Sequence, residues 1–127
     1  MKKILFLIPI AILILAGTTN VNAQQEKEYK VACVAFYNLE NLFDTINQEN
    51  VNDYEFTPEG PNGWRSSRYW EKSDNMAKVI AQIATDITPD GPAILGVSEI
   101  ENRSVLDDLV ANERLKDRNY QVVHYDG

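Results

Sequence analysis

The chain has 127 residues, with 19 acidic residues against 12 basic ones and a net charge of −7 at pH 7. This negative charge argues against broad electrostatic adhesion to nucleic acid, which needs lysine and arginine to displace the counterions of the phosphates. Cys33 is the only cysteine, which excludes an internal disulfide and a four-cysteine zinc site.

The N-terminus predicts a cleaved signal peptide over residues 1–23. A basic start precedes an apolar run over residues 4–16, and a small-residue cleavage site lies before Gln24. The run is shorter than the about 20 apolar residues that span a bilayer. We therefore expect an exported protein, periplasmic or extracellular. Its mature domain would occupy residues 24–127 and keep no membrane anchor after cleavage.

The first half of the mature chain predicts a strand, a long loop and a helix. Residues 29–37 are rich in valine, alanine and aromatics, which is typical of a buried strand. Residues 45–67 contain many asparagines, prolines and glycines and predict a long loop, which is functional or disordered in most small domains. Nearby aromatics, Trp64 among them, are expected to dock this loop.

A helix is expected over residues 68–84, because apolar residues recur there at helical spacing. Its inner face is expected to comprise Met76, Val79, Ile80 and Ile83. Its water-facing side is expected to comprise Glu71, Lys72, Asp74, Lys78 and Gln82.

The second half predicts a buried strand over residues 93–97, a helix capped by Asn102 or Ser104, and a third strand over residues 120–125. The order strand, helix, strand, helix, strand is typical of an α/β fold with adjacent strands. The last strand runs into a turn signal with nothing after it. We therefore expect one sheet that is only half built, as in a fragment.

Polar residues stop both of the first two strands abruptly. Asn38 follows the first strand and Glu99 follows the second. Sites in open α/β sheets form outside the carboxyl ends of the strands, so a helical crossover would let these two ends converge. A carboxylate there is a natural ligand for Mg²⁺, and an amide beside it orients neighbouring oxygens without adding negative charge. The sequence therefore predicts a metal and phosphate site.

Other polar residues near these ends receive structural interpretations. Cys33 is expected to be a buried, inert thiol, Glu101 a surface charge and Arg103 an exposed residue at the helix entry. Glu40 and Asn41 either support the site or cap a local turn. His124, the only histidine, is expected to be structural, and no Gly-x-Ser-x-Gly elbow accompanies it.

The motifs in this order resemble the endonuclease/exonuclease/phosphatase superfamily. The strings that carry the resemblance are Phe36-Tyr37-Asn38, the Pro89-Asp90 turn and Ile94-Leu95-Gly96-Val97-Ser98-Glu99-Ile100-Glu101-Asn102. Residues 37–44 and 56–60 are similar to strings of its secreted bacterial branch. The resemblance spans residues 31–127, although Ser98 stands where the common pattern has glutamine.

The resemblance implies a four-layer α/β sandwich, of which this chain holds the first strands and helices only. It implies a hydrolase, nuclease or phosphatase, that cleaves phosphodiester or phosphomonoester bonds with Mg²⁺ or Mn²⁺. Glu99 falls at the family's metal-binding glutamate and Asn38 at the asparagine that organises the site. The substrate would be a phosphate ester, either nucleic acid or a phosphorylated small molecule or lipid.

The family's later elements, a strand with an Asp-x-Asn motif and a Ser-Asp-His segment, are not among the elements predicted for residues 24–127. Since these elements activate the attacking water, we expect this chain alone to be inactive. The sequence agrees to different degrees with two other kinds of module. A dinucleotide-binding module would need a Gly-x-Gly-x-x-Gly turn, which the chain lacks. A secreted, non-catalytic α/β binding or scaffold module agrees with the acidity and the incomplete site.

Overall fold

The computed structural model describes residues 28–125, and the predicted signal peptide over residues 1–23 lies outside them. Strands β1 (Cys33–Leu42) and β2 (Pro92–Ile100) form a parallel two-stranded sheet, with helix α1 (Ser66–Ile80) in the connection between them. Helix α2 (Arg103–Val110) follows β2. These elements make up part of an α/β domain, as predicted. None of the helices within residues 28–125 is long and apolar enough to cross a membrane.

One face of the sheet packs on the core, and the other is open to solvent. On the packed side, Leu39 is fully buried, and Leu95 and Val97 pack against the core cluster. On the other side, Val34 is 71% exposed and Phe36 is 70% exposed. The prediction of two fully buried strands is therefore wrong for one face, because side chains alternate along a strand and only one face is covered.

The two helices complete the core on the covered face. The fully or nearly buried apolar residues are Leu39, Leu42, Trp64, Tyr69, Ala77, Ile80, Val105, Leu106, Leu109 and Leu115. The Tyr69 hydroxyl donates to Asp108 Oδ2 at 2.7 Å and so ties α1 to α2. Burial, followed by this bond to a carboxylate, raises the pKa of Tyr69.

The inner face of helix α1 is largely as predicted. Its buried positions are Tyr69, Ser73, Ala77 and Ile80. Val79, predicted to face inward, is 42% exposed. Ile80 is buried as predicted, and Met76 and Ile83 pack against the core. Val79 is therefore the one predicted inner residue that lies outside, while Tyr69, Ser73 and Ala77 extend the buried face. Lys72, expected to face water, is partly buried.

Helix α2 begins at the predicted cap. The Asn102 side chain accepts a hydrogen bond from the backbone N–H of Val105 at 3.2 Å. Its amide also donates to Asp44 Oδ2 at 3.1 Å. One residue therefore caps the helix and fastens it to the segment that follows β1.

The turn before β2 is fixed by Arg118. The guanidinium donates to the carbonyls of Ile80 and Ala81, at 3.2 and 2.7 Å, which lie at the end of α1. Gly91 has a φ of 72° and lies against this guanidinium, where a Cβ would clash. The start of β2 is thereby held close to the end of α1.

The loop between β1 and α1 docks as predicted. Trp64 Nε1 donates to the carbonyl of Phe43 at 3.0 Å, and Trp64 is 8% exposed. The rings of Phe43 and Phe56 stack at 4.0 Å, and Phe56 meets Trp64 edge-on. A short 3-10 helix, Tyr54–Phe56, is the only regular structure within this loop.

The predicted third strand is wrong. Residues 120–125 form no strand, and this segment is held partly by a side-chain bond from Tyr120 to the carbonyl of Pro92 at 2.8 Å. A strand needs a neighbour that pairs with its backbone, and the two-stranded ladder joins β1 and β2 only. Cys33 is also partly exposed rather than buried.

Truncating side chains on the open and covered faces of β1 should lower the free energy of unfolding by different amounts. Leu39→Ala removes a fully buried side chain and should lower the free energy of unfolding by about 2–5 kcal/mol. Val34→Ala on the open face is the matched control and should change it much less. Urea unfolding followed by circular dichroism measures both. Equal losses in the two variants would contradict this assignment of faces.

Candidate functional site

The site is built on an irregularity where the two strands end. Asn38 pairs with Ser98, and the next pair is Leu42 with Ile100. Three residues of β1 therefore lie opposite one residue of β2, Glu99, which is a bulge in the ladder.

Three residues of this bulge have left-handed backbone conformations. Glu40 has a φ of 50°, Asn41 of 61° and Glu99 of 57°. Such conformations cost about 1–2 kcal/mol each for residues with a side chain, although asparagine tolerates them better. They persist only where surrounding contacts impose them, and they concentrate at functional sites.

The bulge brings the two predicted site residues into contact. Asn38 Nδ2 donates to Glu99 Oε1 at 2.8 Å. Asn38 Oδ1 accepts from the backbone N–H of Glu40 at 2.7 Å, so both ends of the amide are engaged and its orientation is fixed. We call Asn38, Glu99 and the left-handed pair Glu40 and Asn41 the strand-end site. The predicted roles of Asn38 and Glu99 stay predictions.

The donor set at the strand-end site suits a hard cation that keeps several waters. Glu99 is exposed, and within residues 28–125 no hydrogen bond reaches its Oε2. Mg²⁺ is commonly bound by one or two carboxylates, with waters and substrate phosphate as the other ligands. The described residues hold no group of three or more side chains that could bind a metal. Glu99 therefore fits as one ligand of an open site.

Lys72 reaches the strand-end site from α1, contrary to its predicted water-facing position. Its ammonium donates to the carbonyl of Glu40 and to that of Asn41, the latter at 3.2 Å. It lies 5.7 Å from the centre of the Trp64 ring. Burial lowers the pKa of Lys72, while the carboxylates of Glu40 and Glu99 act in the opposite direction. Nothing in the sequence marks this lysine, because its role depends on how α1 packs.

A second group of carboxyls, Asp44, Asp53 and Glu101, fastens the loop behind the site. The backbone N–H of Asp44 donates to Glu101 Oε2 at 2.8 Å, and that of Gln48 donates to Asp53 Oδ2 at 2.9 Å. Asp53 is 1% exposed. We call these three residues the carboxyl cluster.

Glu101 is not the surface charge that the sequence predicts. Burial raises its pKa to about 7; the bond from the Asp44 N–H opposes this shift, and the charges of Asp44 and Asp53 add to it. Within residues 28–125, no N–H or hydroxyl group donates to Glu101 Oε1 or Asp53 Oδ1, although both oxygens are buried. A hydrogen bond from protonated Glu101 to Asp53 also favours the neutral form. The long loop folds over this carboxyl, which local sequence does not reveal.

The other two residues interpreted from sequence lie apart from the strand-end pair. Arg103 is exposed and forms an ion pair with Asp107 at 3.3 Å, as expected for a helix-entry arginine. His124 lines an open cleft of about 1100 Å³ beside β2. Apolar residues of β2 and α2, including Val97 and Leu109, line the same cleft.

A comparison with protein families agrees with this geometry. A family model described as "Endonuclease/Exonuclease/phosphatase family" matches residues 33–127, which include both strand ends. Neither a curated protein nor a solved structure matches the chain.

The raised pKa of Glu101 predicts that stability falls as pH rises. Between its ordinary value of 4.5 and about 7, the folded chain keeps a proton that the unfolded chain has lost. Deprotonation then opposes folding, so the free energy of unfolding should decrease across this range. Glu101→Gln should remove that decrease, because glutamine carries no proton that titrates.

Urea unfolding between pH 4.5 and 8, in the presence of EDTA, measures both profiles. Glu113→Gln, at a side chain that is 85% exposed, is the matched control and should keep the wild-type slope. Parallel profiles for the wild type and Glu101→Gln would show that burial of Glu101 does not shift its titration.

Proposed function

The chain belongs to the endonuclease/exonuclease/phosphatase family, and on this premise we propose that it supplies the first part of a divalent-metal phosphoesterase site. Membership suggests hydrolysis of phosphoester bonds, and enzymes of this family generally use divalent metals. The observation that carries the proposal is the 2.8 Å bond between Asn38 and Glu99 at the bulge near the carboxyl ends of adjacent parallel strands.

Glu99 is the residue that we assign to Mg²⁺ or Mn²⁺. Asn38 bonds to Oε1 of the Glu99 carboxylate, and no hydrogen bond from residues 28–125 reaches the other oxygen, Oε2. The amide fixes the carboxylate without adding a further negative charge, so it adds no repulsion toward an incoming phosphate. A bound divalent cation supplies the positive charge that offsets the charge on a reacting phosphate.

The substrate class that we propose is a phosphodiester or a phosphomonoester, in nucleic acid or in a phosphorylated small molecule or lipid. The net charge of −7 disfavours tight binding of long duplex DNA by electrostatics alone. We also propose that the protein belongs to the secreted bacterial branch and acts outside the cytoplasm, since residues 1–23 have the pattern of a signal peptide.

We further propose that these residues are the amino-terminal part of a larger domain. The open face of the sheet carries Val34, Phe36 and Ile94, each more than 60% exposed. The apolar cleft beside β2 lies next to this sheet. Large exposed apolar patches mark surfaces that pack against something else. The groups that activate water would then come from elements outside residues 24–127, and this chain alone would be inactive.

Glu99→Gln should abolish specific binding of Mn²⁺ by the chain, because the neutral amide is a far weaker ligand for a hard cation. Glutamine matches glutamate in size and leaves the left-handed backbone unchanged. Paramagnetic broadening of the Asn38 side-chain signals by Mn²⁺ measures the binding site directly. Glu55→Gln, at an exposed position, is the control and should bind as the wild type does. Equal broadening in Glu99→Gln would remove Glu99 from the site.

The purified chain should not hydrolyse a generic phosphodiester in Mg²⁺ above the rate of a blank. The reason is that Asn38 and Glu99 provide one ligand and one orienting group, but no base for the attacking water. Release of a chromogenic leaving group measures the rate. Hydrolysis that Glu99→Gln abolishes would contradict the proposed incompleteness. Absence of both hydrolysis and Mn²⁺ binding would favour a non-catalytic module.

A further inference from the structure

The strand-end site has a conformation that its own residues do not favour. Glu40 and Asn41 are consecutive residues with positive φ, and Glu99 opposite them is a third. The backbone of β1 leaves the regular ladder at this point, so the carbonyls of Glu40 and Asn41 do not take part in sheet pairing. Polar backbone groups in such a position need donors from elsewhere.

Lys72 provides a donor to both carbonyls, and the carbonyl of Asn41 also accepts from the backbone N–H of Phe43 at 3.1 Å. The Lys72 ammonium bonds to both carbonyls, and it comes from the α1 turn that follows Tyr69, a residue anchored in the core. The side chain is partly buried and lies near the Trp64 ring, which restricts the directions open to it. A charged donor forms stronger hydrogen bonds with carbonyls than a neutral donor does.

A short series of bonds joins Lys72 to the proposed metal ligand. The ammonium holds the Glu40 carbonyl, and the Glu40 N–H donates to Asn38 Oδ1 at 2.7 Å. The amide of Asn38 then donates to Glu99 Oε1 at 2.8 Å. A change in the Glu40 backbone would therefore move the amide that orients Glu99.

We propose that Lys72 is a positioning residue for the Asn38–Glu99 pair, and that it acts by holding the carbonyls of Glu40 and Asn41 in the bulge. This inference rests on the proposed function in so far as Glu99 binds the cation. Partners behind metal ligands typically change metal affinity by about 10–100-fold when removed. Lys72 does not contact Glu99 directly but acts through Glu40 and Asn38. We therefore expect its removal to lower the affinity for the cation about tenfold, the lower end of this range.

The sign of the change in affinity separates positioning from simple charge. If Lys72 acted only as a nearby positive charge, its removal would raise the affinity of Glu99 for Mn²⁺, because cation repulsion would disappear. If Lys72 holds the bulge, its removal should lower that affinity. The two roles therefore predict opposite results for Lys72→Met.

The first measurement needs no metal. In the ¹⁵N-labelled chain with EDTA, Lys72→Met should shift the Asn38 side-chain amide signals toward those of solvent-exposed asparagines. Lys72→Arg keeps a charged donor and should retain the wild-type signals. Lys78→Met, on an exposed turn of the same helix, is the matched control and should also retain them. Unchanged Asn38 signals in Lys72→Met would overturn the proposal.

The second measurement titrates the same proteins with Mn²⁺ alone. Lys72→Met should bind about tenfold more weakly than the wild type, and Lys72→Arg should restore binding. Tighter binding by Lys72→Met would also overturn the proposal. If the wild type binds no Mn²⁺ while Lys72→Met still shifts the Asn38 signals, the cation site fails and the positioning role stands.

Should Lys72→Met fail to fold, as judged by circular dichroism, Lys72→Gln decides the question. Glutamine keeps N–H donors, on a side chain one bond shorter than that of lysine, and removes the charge. It should preserve most of the Asn38 signal positions, and complete loss of those positions in a folded Lys72→Gln protein would contradict the role of the bonds to the two carbonyls.

Discussion

The interruption of the β1–β2 ladder is the constraint on which the candidate site depends. Between the pairs Asn38–Ser98 and Leu42–Ile100, three residues of β1 lie opposite one residue of β2, and the backbone adopts left-handed conformations. A regular parallel ladder would carry side chains outward at fixed spacing on alternating faces. The bulge instead brings an amide of one strand within hydrogen-bond distance of a carboxylate of the other.

Contacts from distant parts of the chain hold this interruption in place. Lys72 donates to carbonyls within the bulge, and Trp64 donates to the carbonyl of Phe43, which follows it. The side chains of Asn102 and Glu101 bond to Asp44, one residue further along the chain. The long loop thus acts as a support for the strand ends and is itself anchored by buried Asp53. Strained backbone of this kind is maintained by its surroundings, which explains why so many side-chain to backbone bonds converge here.

The sequence predicts the frame of the fold well and the surroundings of the site poorly. Apolar runs ending on Asn38 and Glu99, and the helical spacing between them, are local signals, and the structure contains both strands and the helix. Glu101 is buried because the long loop folds over it. Lys72 contacts the strand-end site because of the way α1 packs. Neither leaves a local pattern. The third strand fails for a related reason, since alternation in residues 120–125 does not supply a pairing partner.

The central claim is that the Asn38–Glu99 pair places a carboxylate oxygen for a divalent cation. Anomalous diffraction from crystals of the chain soaked in Mn²⁺ tests it most directly. The account predicts one strong peak at about 2.1 Å from a Glu99 oxygen, with Asn38 still bonded to the other oxygen. A peak at the carboxyl cluster of Asp44, Asp53 and Glu101, with none at Glu99, would contradict it.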